Sequence, residues 1–299
     1  MKTTSYIRKM NPGCRIRVIE ETAYAGIYTA KGTGITMSEK HPYHIEMTPP
    51  KHSSQKLEEE LERFAERFER IQESGFIASI TDNAMGRSAF QTYEMMDELE
   101  LVARPDQVLI HLNTFHTKKE LDHILEHAKE HGIRNILALT GDGSDKLHKL
   151  EPEELEAPDV PVTTSVELIK YIYKHYPDFI VGAAFNPYEP PEFEFPKLER
   201  KIAAGAKYVI TQPIIGKDEQ MDRLFKEYPD LPVVVECWMS KKLHLLADVL
   251  ERDIPEDYPY DPMAMLEELN EVYPTGRNYL AMIGYKTQYP VIEEKYNEE

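Results

Sequence analysis

The sequence predicts a (β/α)8 TIM barrel with an N-terminal extension, and three observations carry that prediction. From residue 43 onward, eight short apolar runs alternate with longer segments of helical periodicity, as eight βα units would produce. The runs are apolar without in–out alternation, Ile136-Leu-Ala-Leu139 being typical, as expected of strands covered on both faces. Seven successive run ends carry a group that can hydrogen-bond or titrate; barrels place their chemistry at the carboxyl ends of strands. A doubly wound open sheet is the structural rival. It usually carries a Gly-rich fingerprint after its first strand, where this chain has Thr48-Pro-Pro50, and no P-loop pattern occurs.

Residues 1–42 lack the rhythm and read as an extension, in which Cys14–Ile19 and Gly26–Thr29 would pair as a hairpin before Gly32 and Gly34 break the pattern. The barrel is assigned to residues 43–299. Tyr43–Met47 is the first strand. Ser53 or Ser54 then caps a helix with Leu57, Leu61, Phe64, Phe68 and Ile71 on one face, closed by Gly75. Phe76–Ile80, a helix over Ser88–Val102 and the strand Val108–Leu112 follow. Thr117 opens a helix whose inner face is Leu121, Ile124, Leu125 and Ala128. The fourth strand, Ile136–Leu139, enters a turn in which Gly141 and Gly143 permit positive φ and close backbone approach to a ligand.

After the acidic loop Glu151–Pro161, Thr164 caps the next helix and Phe179–Ala184 is the fifth strand. A Pro-rich loop, Asn186–Pro196, precedes a helix over Leu198–Ala204. Tyr208–Thr211, a helix over Asp218–Tyr228, Val233–Glu236, helices over Lys242–Leu250 and Met263–Val272, and the strand Tyr279–Ile283 complete the series. The tail after Thr287 reads as surface or disordered chain.

Composition narrows the function. A formal net charge of −18 opposes nonspecific nucleic-acid binding. No apolar run approaches membrane-spanning length and no signal-peptide pattern is seen, so a cytoplasmic protein without membrane or nucleic-acid partners is expected. The two cysteines, Cys14 and Cys237, are far apart and suggest neither a disulfide scaffold nor a zinc ribbon.

The run ends in order offer Glu46, Thr81 with Asp82 and Asn83, His111 with Asn113, Asp142, Asn186, Gln212 and Glu236. Singly, each reads as a loop polar group. Together they suggest a lined pocket. Glu46 lies between Ile45 and Met47, where partial burial would keep it protonated as a general acid. Asp142, in its Gly-flanked turn, can stay ionised by accepting backbone N–H bonds. His123, His127 and His131 recur at helical spacing beside Glu120, Glu126 and Glu130; they read as a solvent face, and no metal site is assigned. Trp238 and Met239 fit either the core or the face of a planar ligand.

Several of these stretches resemble one family. Ile136-Leu-Ala-Leu-Thr-Gly-Asp142 is similar to the L-[RT]-G-D stretch of methylenetetrahydrofolate reductases, and Ile45-Glu-Met-Thr-Pro-Pro-Lys51 to their F-E-F-F-P-P-K segment. Lys201-Ile-Ala-Ala-Gly-Ala-Lys-Tyr-Val-Ile-Thr-Gln212 resembles K-V-D-A-G-A-…-T-Q, Ser79-Ile-Thr-Asp-Asn83 resembles V-T-D-N, and His111-Leu-Asn113 resembles H-[LF]-T. The five lie in the family's order, over roughly residues 43–240.

The resemblance implies a flavoprotein oxidoreductase of one-carbon metabolism and methionine biosynthesis. It would reduce a 5,10-methylene-tetrahydropterin, methylenetetrahydrofolate or an analogue, to the 5-methyl form. Hydride would come from NAD(P)H or another donor through FAD. Glu46 would be the catalytic acid, Asp142 would serve flavin and pterin, and Gln212 would bind substrate. Thr81, His111, Thr140, Gly141, Asp142, Ala184, Arg200 and Lys201 would line the cofactor. Two positions depart from the family pattern. Thr140 replaces a common Arg, and Ala184-Phe-Asn-Pro-Tyr-Glu-Pro-Pro-Glu192 lacks the His of A-x-P-E-x-H-P-E. They leave FMN, or hydride transfer without a flavin, as alternatives. They also leave a second class of function: an altered barrel acting as a subunit or binding module for an electron-transfer or methyltransferase partner. A homo-oligomer is compatible with either.

Overall fold

The computed structural model describes residues 41–144, 146–255 and 257–298, so the expected hairpin and Cys14 lie outside the described residues. The eight strands are β1 (His44–Met47), β2 (Ile77–Ile80), β3 (Val108–Leu112), β4 (Asn135–Ala138), β5 (Ile180–Phe185), β6 (Val209–Pro213), β7 (Val233–Trp238) and β8 (Arg277–Ala281). They close into one parallel barrel in sequence order, β8 pairing with β1 through His44↔Tyr279 and Ile45↔Leu280. The open-sheet rival is thereby excluded.

Strand parity divides the molecule into two apolar clusters. Outward residues such as Ile45, Met47, Ala78, Ile80 and Ile110 pack against the helix ring. Inward residues Ile77, Leu109, Leu137, Tyr208, Ile210, Val234 and Tyr279 fill the barrel. Within it, Gly182 of β5 faces the Tyr208 ring so closely that a Cβ there would lie 2.2 Å from it. The Tyr208 hydroxyl donates to the Ile136 carbonyl at 2.8 Å, which satisfies its one polar group in a dry interior.

The helix ring follows from periodicity and caps. In α1 (Leu57–Glu73), Leu61, Phe64, Phe68 and Ile71 are buried, as the spacing predicts. Ser54 does not cap it directly; its hydroxyl accepts from the N–H of Lys56, the residue just before the helix. Thr117 with Glu120 and Thr164 with Glu167 form capping boxes for α3 (Lys118–Glu130) and α4 (Ser165–His175). Asp218 caps α6 (Glu219–Glu227) and Asp261 caps α8 (Pro262–Val272) by accepting two backbone N–H bonds each.

Three elements depart from the sequence expectation. The helix expected over Ser88–Val102 is only α2 (Thr92–Glu98). Residues before it are drawn off by tertiary bonds, Ala89 N–H to Asn83 and Phe90 N–H to the Pro50 carbonyl, and Glu100 in the left-handed region ends it. The Pro-rich loop is shorter than expected, because α5 (Pro191–Ala204) starts on a proline at its first position, where no N–H is needed. The tail is a helix, α9 (Tyr289–Glu298), with Tyr289 and Ile292 buried. It packs on the end of α1 through an Arg70–Glu293 ion pair at 2.8 Å and a Tyr289 hydroxyl bond to Ser74.

One helix is additional to the eightfold repeat. α7 (Leu243–Leu250) follows β7 directly and places Leu243, Leu246 and Leu250 in the interior cluster with Ile210 and Trp238. It therefore covers the β6–β7 side of the barrel mouth with apolar side chains.

The Gly182–Tyr208 contact generates a stability prediction. Gly182→Ala forces a methyl into a packed ring and should cost about 1–3 kcal/mol, the usual range for overpacking. Urea unfolding reads it as a lower midpoint at unchanged slope. An unchanged midpoint would show that the interior yields at this layer.

Candidate active site

The site is built from alternate residues of neighbouring strands. On β1, His44 and Glu46 are two apart and share the inward face, while Ile45 and Met47 face the helices. On β8, Tyr279 lies level with His44 on one side and with Glu236 of β7 on the other. Its ring stands 6.5 Å from the His44 ring and 6.0 Å from that of His111 on β3. The barrel thus gathers two carboxyls, a phenol and two imidazoles at its mouth.

Burial sets their charges. It pushes the Glu46 carboxyl up to about 7, offset in part by the Met282 N–H and the approach of the Tyr279 hydroxyl. Glu236 is driven well above the ordinary carboxylate range by burial and then by Glu46 itself. Tyr279 is pushed up by burial and by both carboxyls, so it stays a donor. Burial takes His111 down to about 4, and burial, Arg277 and His111 take His44 down to about 3. Near neutrality both imidazoles are uncharged and the carboxyl pair retains a proton. Met282, whose N–H meets Glu46, holds φ at 58° without being glycine, a strained backbone of the kind that accompanies sites.

The other expected residues fall in three groups. Thr81 immediately follows β2 and His111 lies on the adjacent β3, and Thr81 Oγ1 and His111 Nε2 are buried without a hydrogen-bond partner. Gln212 sits at a register shift between β6 and β7, an irregularity that re-aims side chains. The rim residues instead tie loops together. Exposed Asp142 accepts the Met85 N–H at 2.9 Å, joining the loops after β4 and β2. Thr140 accepts from Ser165 N–H at the start of α4 and, through its carbonyl, from Thr114. Gly141, at φ 86°, lies against Phe115, where a Cβ would come within 2.9 Å. Lys201 is half-buried and donates to the Ala184 carbonyl at 2.7 Å, with Glu194 beside it. Arg200, its neighbour on α5, is exposed.

Asp82, one of the strand-end candidates, is a clamp. It is buried, pairs with His116 at 2.7 Å, and accepts from Asn113 N–H and Gln91. Sequence reading did not single out His44, Tyr279, Arg277 or His116. Parity could have found His44, two residues before Glu46 on the same face. Trp238 is buried among the α7 leucines, so the core reading holds for it.

Comparison with known proteins bears on this site. The sequence model of the methylenetetrahydrofolate reductase family matches residues 33–238. Methylenetetrahydrofolate reductase (NADH) 1 of Zea mays is 30% identical over 219 residues, 68% of this chain and 34% of that protein. Methylenetetrahydrofolate reductase 2 of Schizosaccharomyces pombe is 31% identical over 185 residues, 57% of this chain and 27% of that protein. The chain thus spans about a third or less of the length of these relatives. Among solved structures, a Clostridium thermocellum protein described as binding two copies of 5-methyl-5,6,7,8-tetrahydrofolic acid aligns with a TM-score of 0.55 at 17% identity. That alignment covers 86% of this chain and 95% of that one, and it is a likeness of fold.

The raised Glu46 pKa has a thermodynamic signature. A folded-state pKa above the unfolded value means stability that is full below the ordinary glutamate pKa and lost as pH rises through about 7. Glu46→Gln removes that loss. The variant should exceed wild type by up to about 3 kcal/mol near pH 8, the gap narrowing toward about pH 5, in urea titrations at both pH values. A gap independent of pH would refute the assignment.

Proposed function

Because the chain belongs to the methylenetetrahydrofolate reductase family, we propose that its barrel is an oxidoreductase that reduces a 5,10-methylene-tetrahydropterin to its 5-methyl form. The observation that carries this reading is Glu46, a carboxyl held near neutrality at the barrel mouth. Opening the five-membered ring of the substrate breaks a bond from the methylene carbon to a ring nitrogen. The departing nitrogen must be protonated as the bond breaks, leaving an iminium that a hydride can reduce. Glu46 supplies that proton, since a donor with a pKa close to ambient pH is both present in its acid form and able to release it.

The surrounding groups suit this role. The Met282 N–H and Tyr279 stabilise Glu46 once it is ionised. Burial and the Glu46 charge raise Glu236 well above the ordinary carboxylate range, which disfavours two negative charges in the cluster. Neutral His44 and His111 place no cation there to trap the carboxylate. Gln212, at the β6 bulge, is assigned to the pterin. The ligand of the Clostridium thermocellum protein belongs to the same chemical class as the product proposed here.

The family also implies a flavin. Thr81 Oγ1 and His111 Nε2, buried and unpartnered at adjacent strands, fit the polar edge of a planar ring. Thr140, Gly141, Asp142 and Ala184 would complete its surround. When bound there, a flavin supplies a two-electron carrier between a nicotinamide donor and the pterin. At the phosphate end, the Lys201 ammonium is already directed to Ala184 and Glu194, which leaves its exposed neighbour Arg200, among the described residues, as a cation there. Affinity is therefore assigned mainly to the ring.

Two outcomes are expected. Glu46→Gln should slow single-turnover pterin reduction by roughly 10²–10⁴ while pterin affinity changes less than about tenfold. An unaffected rate would remove Glu46 from the chemistry and favour the binding-module reading. FAD and FMN should bind with affinities within about tenfold of each other, read from flavin fluorescence quenching, because the second phosphate finds little built to receive it. Binding of neither would leave direct hydride transfer from the nicotinamide donor; a large preference for FAD would show a pyrophosphate site that the ring-based account omits.

A further inference from the structure

We propose that Asp97, His127 and His131 form a transition-metal site, suited to Zn²⁺, that pins α2 to α3 on the outside of the barrel. His127 lies in the last turn of α3 and His131, four residues on, is its C-cap, so the two side chains lie on one face. The fold brings Asp97, near the end of α2, against them. His131 Nε2 is 3.2 Å from Asp97 Oδ1 and His127 Nδ1 is 3.8 Å from Asp97 Oδ2. One ligand atom from each of the three residues lies within 4.8 Å of the others. Bond lengths of about 2.0–2.2 Å to nitrogen and carboxylate oxygen place tetrahedral ligands roughly 3.3–3.6 Å apart. The triad is within a small side-chain adjustment of that spacing, and a water would take the fourth position.

A second observation singles out His127. Its Nδ1 is buried and has no hydrogen-bond partner, although an imidazole nitrogen out of water normally finds one. The ring is held in place by Tyr93 at 5.3 Å, by His123 at 4.4 Å and by His131 in a stacked arrangement at 6.0 Å. This buried nitrogen lies 3.8 Å from Asp97 Oδ2 and 4.0 Å from Glu130 Oε2, too far from either for a hydrogen bond and near enough for a shared cation to draw Asp97 in. The sequence alone assigns no metal here, because the oxygen ligand comes from another helix.

The site has a structural consequence. α2 has 7 residues, too few to be stable without its packing. At its start, Gln91 donates to Asp82, the residue that clamps His116 and Asn113 beneath the mouth. A metal at the far end of α2 would hold this short helix at both ends. The inference does not depend on which reaction the barrel performs.

The test uses the full chain, stripped with a chelator and dialysed, and titrated with ZnCl2 by calorimetry and with CoCl2 by visible absorption. Expected are binding of one equivalent, a Co²⁺ spectrum of tetrahedral type, and Zn²⁺-dependent slowing of amide exchange across residues 92–98. His131→Asn and Asp97→Asn should each weaken binding at least about tenfold, whereas Glu126→Gln, exposed on the same helix, should not. Thermal unfolding without metal checks that the variants fold. Two results would overturn the proposal: no stoichiometric binding to the wild-type chain, or binding that survives both substitutions. Unchanged exchange over 92–98 with metal bound would overturn the pinning of α2.

Discussion

Closure of β8 against β1 brings Glu46 and Glu236 together in the half-buried mouth of the barrel, and the rest of the site depends on that. The two carboxyls flank Tyr279 because β8 lies between β1 and β7 and strand parity turns all three side chains inward. In a low-dielectric interior two adjacent negative charges cannot both persist, so a proton must stay. The barrel does not neutralise the pair with an imidazolium, since His44 and His111 are themselves kept neutral by burial. The same geometry that costs stability at alkaline pH therefore stores an acid of the kind the proposed reaction requires.

Around this centre the mouth has two halves of different character. On the β2–β4 side, loops are joined by polar bonds: Asp82 to His116, Asp142 to Met85, and Thr140 to Ser165. These bonds hold Thr81 and His111 beneath a rigid rim. On the β6–β7 side, α7 lays leucines over Trp238 and Ile210. A planar, partly apolar ligand entering the mouth thus meets ordered polar groups on one side and a greasy cover on the other, the usual make-up of a small-molecule site.

Much of this was legible in the sequence, for identifiable reasons. Parallel strands buried on both faces read as unbroken apolar runs, so all eight strands were found, with ends displaced by one or two residues. Glu46 stood out as an acid embedded in apolar neighbours. What escaped depends on contacts distant in sequence. The pairing of Asp82 with His116, the bond of Lys201 to Ala184 and the approach of Glu236 to Glu46 through Tyr279 are tertiary facts with no local signal. Prolines misled at α5, where Pro191 begins a helix that a loop reading would end. The tail after Thr287 became a helix because Tyr289 and Ile292 find a groove beside α1 that the local pattern cannot reveal.

The direct measure of the central claim is the ionisation of Glu46 itself. Carbon-13 NMR of the glutamate carboxyls, followed across pH in the full chain and assigned by comparison with Glu46→Gln and Glu236→Gln, reports it without reference to any ligand. Expected are a Glu46 carboxyl titrating at about 7 and a Glu236 carboxyl raised well above the ordinary range, so that the pair keeps a proton near neutrality. A Glu46 resonance titrating at an ordinary glutamate value of about 4.3 would contradict this, because the barrel would then present a carboxylate where the proposed reaction needs an acid.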